Sequence, residues 1–396
     1  MKLRKLRSGM NFNGKKVLIR IDADVPIKNG KTIDGRHGRI ARAAVGIDWL
    51  LQRGAKVIVL THVGRPKGKR VSAYSVKPVA ARLSGLLGTK VIEAGAVLGK
   101  KVENVISNMK NGEVVLLENL RFDPRERKNA ASFAAALSKL GDIYVNDAFG
   151  DSHREHASID AITSELPSFA GPLLSNETAV LYKTFSHVKH PFVLVMGGLK
   201  IKTKLPVLKH CAKTADSILV GGALATTFFV AQGHSVGKSI YDKSGVSIAK
   251  KLLKTHSSQL MLPVDVVAAT SLRKDAKTRV TTPDNVRSSE RILDIGPQSS
   301  KQFAQMIAKS KTVVWNGPLG YCEIEPFCKG TEVVAKAVAN QTGKATTIVG
   351  GGDTVPVVES IKLADKFTLL SAGGGSLLTF LAGKELPGLE ALRVDV

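Results

Sequence analysis

In the first half of the chain, charged side chains stand where short apolar runs end. Asp22 and Asp24 follow "KVLIR", His62 and Arg65 lie in "THVGRP", and Arg121 lies in "ENLRF". His153 and Arg154 lie in "GDSHREH", and Arg39 opens a helical stretch. Arginine carries a planar fork that matches carboxylate and phosphate oxygens. Such a set, gathered on one crevice, suits a small ligand with several negative charges.

The second half ends its apolar runs on glycine instead: "MGG", "VGG", "NGP", "VGGG" and "AGGG". A bare turn lets backbone N–H groups approach phosphate oxygens. Gly350, Gly351 and Gly352 make one such turn. Asp353 and Thr354 follow at a helix start, where the Asp353 carboxylate suits Mg²⁺, a hard ion that takes oxygen ligands. Lys200 and Lys204 in "GGLKIKTK" lie just past another glycine turn and can reach a moving phosphoryl group. A compact anion in one half and nucleotide phosphates in the other point to phosphoryl transfer, which asks for positioning and charge neutralisation more than covalent chemistry.

Parallel strands alternating with helices would bring these residues to sheet edges. The apolar runs "KVLIRID", "KVIVLTH", "EVVLLEN" and "DIYVNDAF" in the first half, and "PFVLVMGG", "SILVGG", "TVVWNGP", "TTIVGGG" and "FTLLSAGGG" in the second, read as buried parallel strands. Between them, Ile40, Ala43, Ala44, Ile47, Leu50 and Leu51 recur at helical spacing over 39–53, and Gly54 stops the helix. In open α/β sheets, ligands sit beyond the carboxyl ends of the strands. The fold expected is α/β, with two lobes, each an open parallel sheet flanked by helices in three layers and joined by a hinge helix. The break at "ELPSFAGPLLSNE" divides the chain into 1–170 and 171–370. The polar stretch 274–285 reads as a surface loop.

The chain has 396 residues, 58 Lys+Arg against 33 Asp+Glu, and a formal net charge of +25. That excess favours anionic partners. The basic residues are dispersed and only 5% of residues are aromatic, which argues against a specific nucleic-acid site. No run is long enough to span a membrane, and the basic start lacks an apolar signal core. Three cysteines, Cys211, Cys322 and Cys328, are too few and odd in number for a disulfide framework. They suit a reducing, cytoplasmic setting. His153 and His156 read as surface or substrate-side histidines, not a metal pair. "GHSVGKS" at 233–239 has three residues between its glycines where a P-loop needs four.

The ordered motifs "RIDADVP", "THVGRP", "ENLRF", "NDAFGDSHREHAS", "GGLKIKTK", "VVWNGPLGYCEIEPFCKGT", "VGGGDT" and "SAGGGS" together resemble the phosphoglycerate kinase family along essentially the whole chain. The resemblance implies reversible transfer between 1,3-bisphosphoglycerate with ADP and 3-phosphoglycerate with ATP, with Mg²⁺, in a monomeric hinge enzyme of glycolysis. It implies that the last segment, 371–396, returns to the first lobe. It places Asp22, Asp24, Arg39, His62, Arg65, Arg121 and Arg154 at the triose. Lys204, Gly221, Gly222, Glu323, Gly350, Gly351, Gly352, Asp353 and Thr354 fall at the nucleotide, with Glu323 accepting from the ribose hydroxyls. Arg39, Lys200, Gly351 and Gly374 form the implied catalytic set. Arg36 competes with Arg39 for the one arginine position; the helical run after Arg39 favours Arg39. Three residues depart from the family pattern: Asp24 for Asn, Ala223 for Gly and Ala372 for Thr. A carboxylate at 24 beside an anionic triose implies either weaker binding or a compensating basic neighbour; the outcome expected is a net penalty on triose binding, which Asp24→Asn would relieve.

A different small-molecule kinase would keep the glycine half and change the basic half. A nucleic-acid-binding protein would explain the charge but needs clustered basic and aromatic residues.

Overall fold

The computed structural model describes residues 1–371 and 373–394; Ala372 lies outside the described residues. The chain forms two compact units, Met1–Tyr182 with the segment from Glu385 onward, and Lys183–Lys384. The changeovers fall at 182/183 and 384/385, whereas the sequence suggested 170/171 and 370/371. The first lies inside the helix Pro172–Ser186. The second follows the helix Gly374–Leu381, which packs on the helix Ile201–Cys211 of the same unit.

In the first unit the strands are β1 (Lys16–Arg20), a small hairpin β2 (Ile27–Lys28) and β3 (Lys31–Thr32), β4 (Lys56–Leu60), β5 (Val91–Glu93), β6 (Val114–Leu116), β7 (Ile143–Asn146) and β8 (Ser168–Ala170). Six of them make a parallel sheet in the order β5-β6-β4-β1-β7-β8. Alternation along each strand sends Val17, Ile19, Val57 and Val59 to one face, under the helices Arg39–Leu51 and Lys77–Leu87. Leu18, Ile58, Leu60 and Tyr144 go to the other, under Lys100–Ser107 and Ala131–Ser138. Both faces are covered, so the strands read as continuous apolar runs. Each fully buried aliphatic side chain contributes roughly 1.5–3 kcal/mol. The segment after Glu385 docks on this unit: Asn146 Nδ2 donates to the Gly388 carbonyl at 3.4 Å, and Leu3 bridges to Arg393.

The second unit contains β9 (Phe192–Met196), β10 (Ser217–Val220), β11 (Leu260–Met261), β12 (Val266–Ala269), β13 (Thr278–Thr281), β14 (Arg291–Ile295), β15 (Thr312–Asn316), β16 (Thr346–Gly350) and β17 (Leu369–Ser371). Its parallel sheet runs β11-β10-β9-β15-β16-β17. Val193, Val195, Val313, Trp315 and Val349 pack against Phe303, Ile307, Val334 and Val338 from two covering helices. A separate antiparallel sheet, β13-β12-β14, corrects the expectation of a plain loop over 274–285. β13 is an edge strand whose residues alternate between exposed and half-buried, so its composition is that of a loop.

Each sheet has one place where successive connections diverge. In the first unit the chain leaves β1 toward β4 on one side and returns at β7 on the other. In the second it leaves β9 toward β10 and returns at β15. The carboxyl ends of β1 with β7, and of β9 with β15, are the crevices where open α/β sheets hold ligands.

Candidate active site

At the first crevice, buried charges organise the exposed ones. Arg20 ends β1 and is fully buried. Its Nη2 donates to Asp151 Oδ2 at 3.0 Å and lies 2.8 Å from His62 Nδ1, and its Nε donates to Ser158 Oγ at 3.0 Å. Asp151 also accepts from Arg154 Nη1 at 2.7 Å. Burial pushes the Asp151 carboxyl upward, but His62, Arg20, Arg154 and Arg121 together hold it well below the usual carboxylate range. Glu126, buried behind the cluster, accepts from the Ser158 backbone and hydroxyl at 3.0 and 2.6 Å.

On this base stand the predicted ligands. Arg39 Nη1 donates to Asp22 Oδ1 at 3.2 Å and to the Asp24 carbonyl at 3.0 Å. Asp22, with help from Asp24, raises its pKa against the opposing effect of burial. The helix that begins at Arg39 is held by Asp34, whose two carboxylate oxygens accept the backbone N–H groups of Ile40 and Ala41 at 3.1 Å each. Gly38 lets Asp34 come that close, since a Cβ there would sit 2.1 Å from Asp34 Oδ1. Arg36 lies exposed in the preceding turn, whereas Arg39 joins Asp22 and Asp24.

Asp24 has basic company. Its Oδ2 is 3.5 Å from His62 Nε2, and its Oδ1 accepts from the Gly64 backbone at 2.8 Å. Burial raises its pKa, but the His62 bond and charge, the Gly64 N–H and Arg39 outweigh burial and leave the carboxylate ionised. Arg121 is buried and donates from Nη1 to the Gly64 carbonyl at 2.8 Å. Burial and the neighbouring Arg154 and Arg20 lower it to about 10. Arg65 is exposed on the loop after β4.

His156 corrects the surface reading. It is buried 3.9 Å from Glu126 Oε1, and burial, followed by Arg121, lowers its pKa to about 3. His153 is half-buried, with Arg154 Nε 3.2 Å from its Nε2. Among the described residues no group of three or more His, Cys, Asp or Glu could hold a metal ion by themselves.

At the second crevice the backbone dominates. Many glycines there let chain pass chain. A Cβ at Gly197 would lie 2.0 Å from the Pro318 carbonyl, and one at Gly221 2.6 Å from the Leu319 side chain. Their N–H groups are spent internally: Gly197 donates to Asn316, Gly198 to Pro318, Gly221 to Met196 and Gly222 to Leu319. The turn after β16 differs. Gly351 has φ +120°, and among the described residues no internal acceptor meets the N–H groups of Gly351, Gly352 and Asp353. Such a run of N–H donors forms an anion cradle. Gly374 closes on it, because a Cβ there would sit 3.3 Å from Gly351 Cα. Thr354 is buried, and its hydroxyl accepts from the Gly317 N–H at 2.8 Å, so it ties two loops together.

Lys204 is buried and donates to Asn316 Oδ1, while Asn316 Nδ2 donates to the Gly350 carbonyl at 2.9 Å. Burial lowers the Lys204 pKa to about 8, partly offset by Asp353. Lys200 is exposed at the start of its helix. Beside these groups opens a cavity of about 340 Å³ walled by Leu199, Ala223, Phe229, Pro318, Leu319 and Tyr321, with Glu323 and Asp353 among its polar lining. An apolar slot with few polar groups suits a flat heterocycle carrying a sugar and phosphates.

The profile of the phosphoglycerate kinase family matches residues 8–384. The chain belongs to the phosphoglycerate kinase family. Membership makes it a phosphotransferase. It is 41% identical to the phosphoglycerate kinase of Pelotomaculum thermopropionicum over 97% of both chains, and 43% identical to that of a Roseiflexus species over 97% of this chain and 98% of that one. Among solved structures, phosphoglycerate kinase from Coxiella burnetii matches with a TM-score of 0.80 at 38% identity, covering 97% of each chain. The enzyme from Pyrococcus horikoshii matches at 0.87 and 30%, covering 98% of each.

Motif reading missed Arg20, Asp34, Asp151 and Asn316. Arg20 and Asn316 did carry a signal, since each is a polar residue closing an apolar run, "VLI" and "VVW". The cysteines also need correction. Cys322 and Cys328 form a disulfide, because the turn Glu325–Phe327 folds the chain back and brings their Cα atoms to 4.5 Å, within bridging reach. Counting cysteines cannot see that proximity. Cys211 is free and buried.

Proposed function

We propose that this chain transfers a phosphoryl group reversibly between the acyl phosphate of 1,3-bisphosphoglycerate and ADP; its relatives are named phosphoglycerate kinase. The observation that supports this most is the buried Arg20–Asp151–His62 base under Arg39, Arg121 and Arg154. A kinase for an uncharged acceptor has no use for so many cations held in place. Asp22 and Asp24 orient Arg39, and Arg39 neutralises charge on the moving group. Arg65, Arg121, Arg154 and His62 bind the triose carboxylate and phosphate.

In the second unit the Gly351–Asp353 turn and Gly374 donate N–H groups to the transferred phosphate. Lys204 neutralises nucleotide phosphate, Lys200 the transition state, Gly221 and Gly222 border the base, and Glu323 accepts from the ribose hydroxyls. The exposed Asp353 carboxylate beside unspent N–H groups fits a Mg²⁺–nucleotide, and Mg²⁺ bound there would neutralise phosphate charge. Bending about the helix Pro172–Ser186 would exclude water, which otherwise takes the phosphoryl group. We place the enzyme in the cytoplasm as a monomer working in glycolysis, with no specific nucleic-acid or membrane partner; the placement follows from that pathway and not from the cysteines, two of which are bridged. Among the described residues no helix is long and apolar enough to cross a membrane.

A coupled assay with 3-phosphoglycerate and MgATP tests this. ADP formation dependent on both substrates is expected. Turnover with another acceptor and none with 3-phosphoglycerate would overturn it.

A further inference from the structure

We infer that the Cys322–Cys328 disulfide is a positioning device for Glu323, and through it for discrimination of the nucleotide's ribose. The inference rests on the proposed role of Glu323. The chain leaves β15 at Asn316 and skirts the cavity, where Tyr321 and Glu323 line the rim. Its inner parts are firmly held. The Tyr321 N–H donates to the Leu293 carbonyl at 2.7 Å, Phe327 is fully buried against Leu293 and Ala269, and the Gly330 N–H donates to Asp294 Oδ2 at 2.7 Å.

Glu323 itself is exposed, and among the described residues no donor holds its carboxylate. Its direction therefore depends on the backbone between two anchors. The bond from Cys322 to Cys328 shuts that backbone into a short loop with Glu323 next to one sulfur. A loop so closed loses conformations that would otherwise have to be lost on binding, and affinity rises as that ordering cost falls. Cys328 is buried, while Cys322 is half-buried and reachable by a small thiol.

The bond opens by exchange with a dithiol such as dithiothreitol. The reagent closes into its own ring disulfide, and the two cysteines take up two electrons and two protons. The test measures KM for MgADP, and for a MgADP analogue lacking both ribose hydroxyls, before and after reduction and after reoxidation. Thiols are counted in denatured samples alongside. Oxidised enzyme should show only the Cys211 thiol. Reduction should raise the MgADP KM about three- to ten-fold, leave the analogue's KM and the triose KM near their starting values, and reverse on reoxidation. Cys322→Ser should behave as the reduced enzyme with or without dithiothreitol, and an unchanged melting temperature for the second unit would exclude general unfolding. Three free thiols in enzyme never exposed to reductant would overturn the inference. So would reduction that leaves both KM values unchanged while Glu323→Ala raises that for MgADP. If Glu323→Ala is also silent, the ribose role of Glu323 fails first and the inference falls with it.

Discussion

The two crevices present their donors by different means. In the first unit the donors are side chains, and a second layer of buried side chains fixes them: Arg20 and Asp151 under His62 and Arg154, Asp34 under the helix of Arg39. In the second unit the donors are backbone N–H groups at Gly351–Asp353, and glycine geometry fixes them. The difference follows from the ligands each is proposed to hold. A triose offers few atoms and several charges, so recognition needs ionised groups at set points. A nucleotide offers a large apolar base, so a cavity supplies much of the contact and the turn needs only to receive phosphate. Side-chain sites of the first kind concentrate desolvation cost in few residues; backbone sites spread it.

Arg39→Ala should break the first site hardest. Turnover is expected to fall by about 10³ or more, with the MgADP KM within a few-fold, because the guanidinium acts on developing charge. Arg36→Ala, in the exposed turn, should keep activity. The reverse result would move the functional arginine to 36.

Asp151→Asn should show that the base of the first site is structural. Removing one partner leaves Arg20 buried without its counter-charge, a loss of about 3–5 kcal/mol, read as a lower urea midpoint. Because the folded Asp151 pKa is depressed below the ordinary 3.8, the stability it adds is present above that value. It disappears as pH falls through the folded one. The wild type should therefore lose stability below about pH 4 in a way the variant does not.

Asp353→Ala should cripple the second site without touching the first. The Mg²⁺ concentration giving half-maximal rate should rise about ten-fold or more, with the triose KM unchanged. An unaltered Mg²⁺ titration would place the metal elsewhere. Lys204 offers a smaller handle on the same site. It loses its charge near pH 8, so nucleotide KM should rise above that pH. Lys204→Arg, charged throughout, should flatten the rise.

The smallest effect is expected at Asp24. Its carboxylate is balanced by His62, Gly64 and Arg39 rather than left facing the triose alone. Asp24→Asn keeps an oxygen for the Gly64 N–H but removes the charge facing His62. The 3-phosphoglycerate KM should rise two- to five-fold at both pH 6 and pH 8, by about 0.4–1 kcal/mol. A fall in KM, larger at pH 8, would show that the carboxylate repels substrate after all.

Nine of the parallel strands were legible because each carries a β-branched or apolar run that stops at a turn, even β6 and β17, which are only three residues long. β5 and β8 were not, since Val91–Glu93 has two apolar residues before a charged one and Ser168–Ala170 opens on a serine beside two prolines and a glycine in the flanking chain. The proposed donors announced themselves by type and place: Arg39 at a helix start, Asp353 after three glycines, Lys204 past "MGG". What lies beneath them did not. Asp34 caps a helix five residues further on, Asp151 meets a strand 131 residues back, and Cys322 meets Cys328 only because a buried phenylalanine folds the turn. Residue type and local spacing thus determined where the donors stand and what charge they carry, since those follow from chemistry and strand ends. Tertiary structure alone decided which donors are already spent, which carboxylates stay ionised and which loop is tied, because burial and the pairing of distant charges exist only once the sheets have closed.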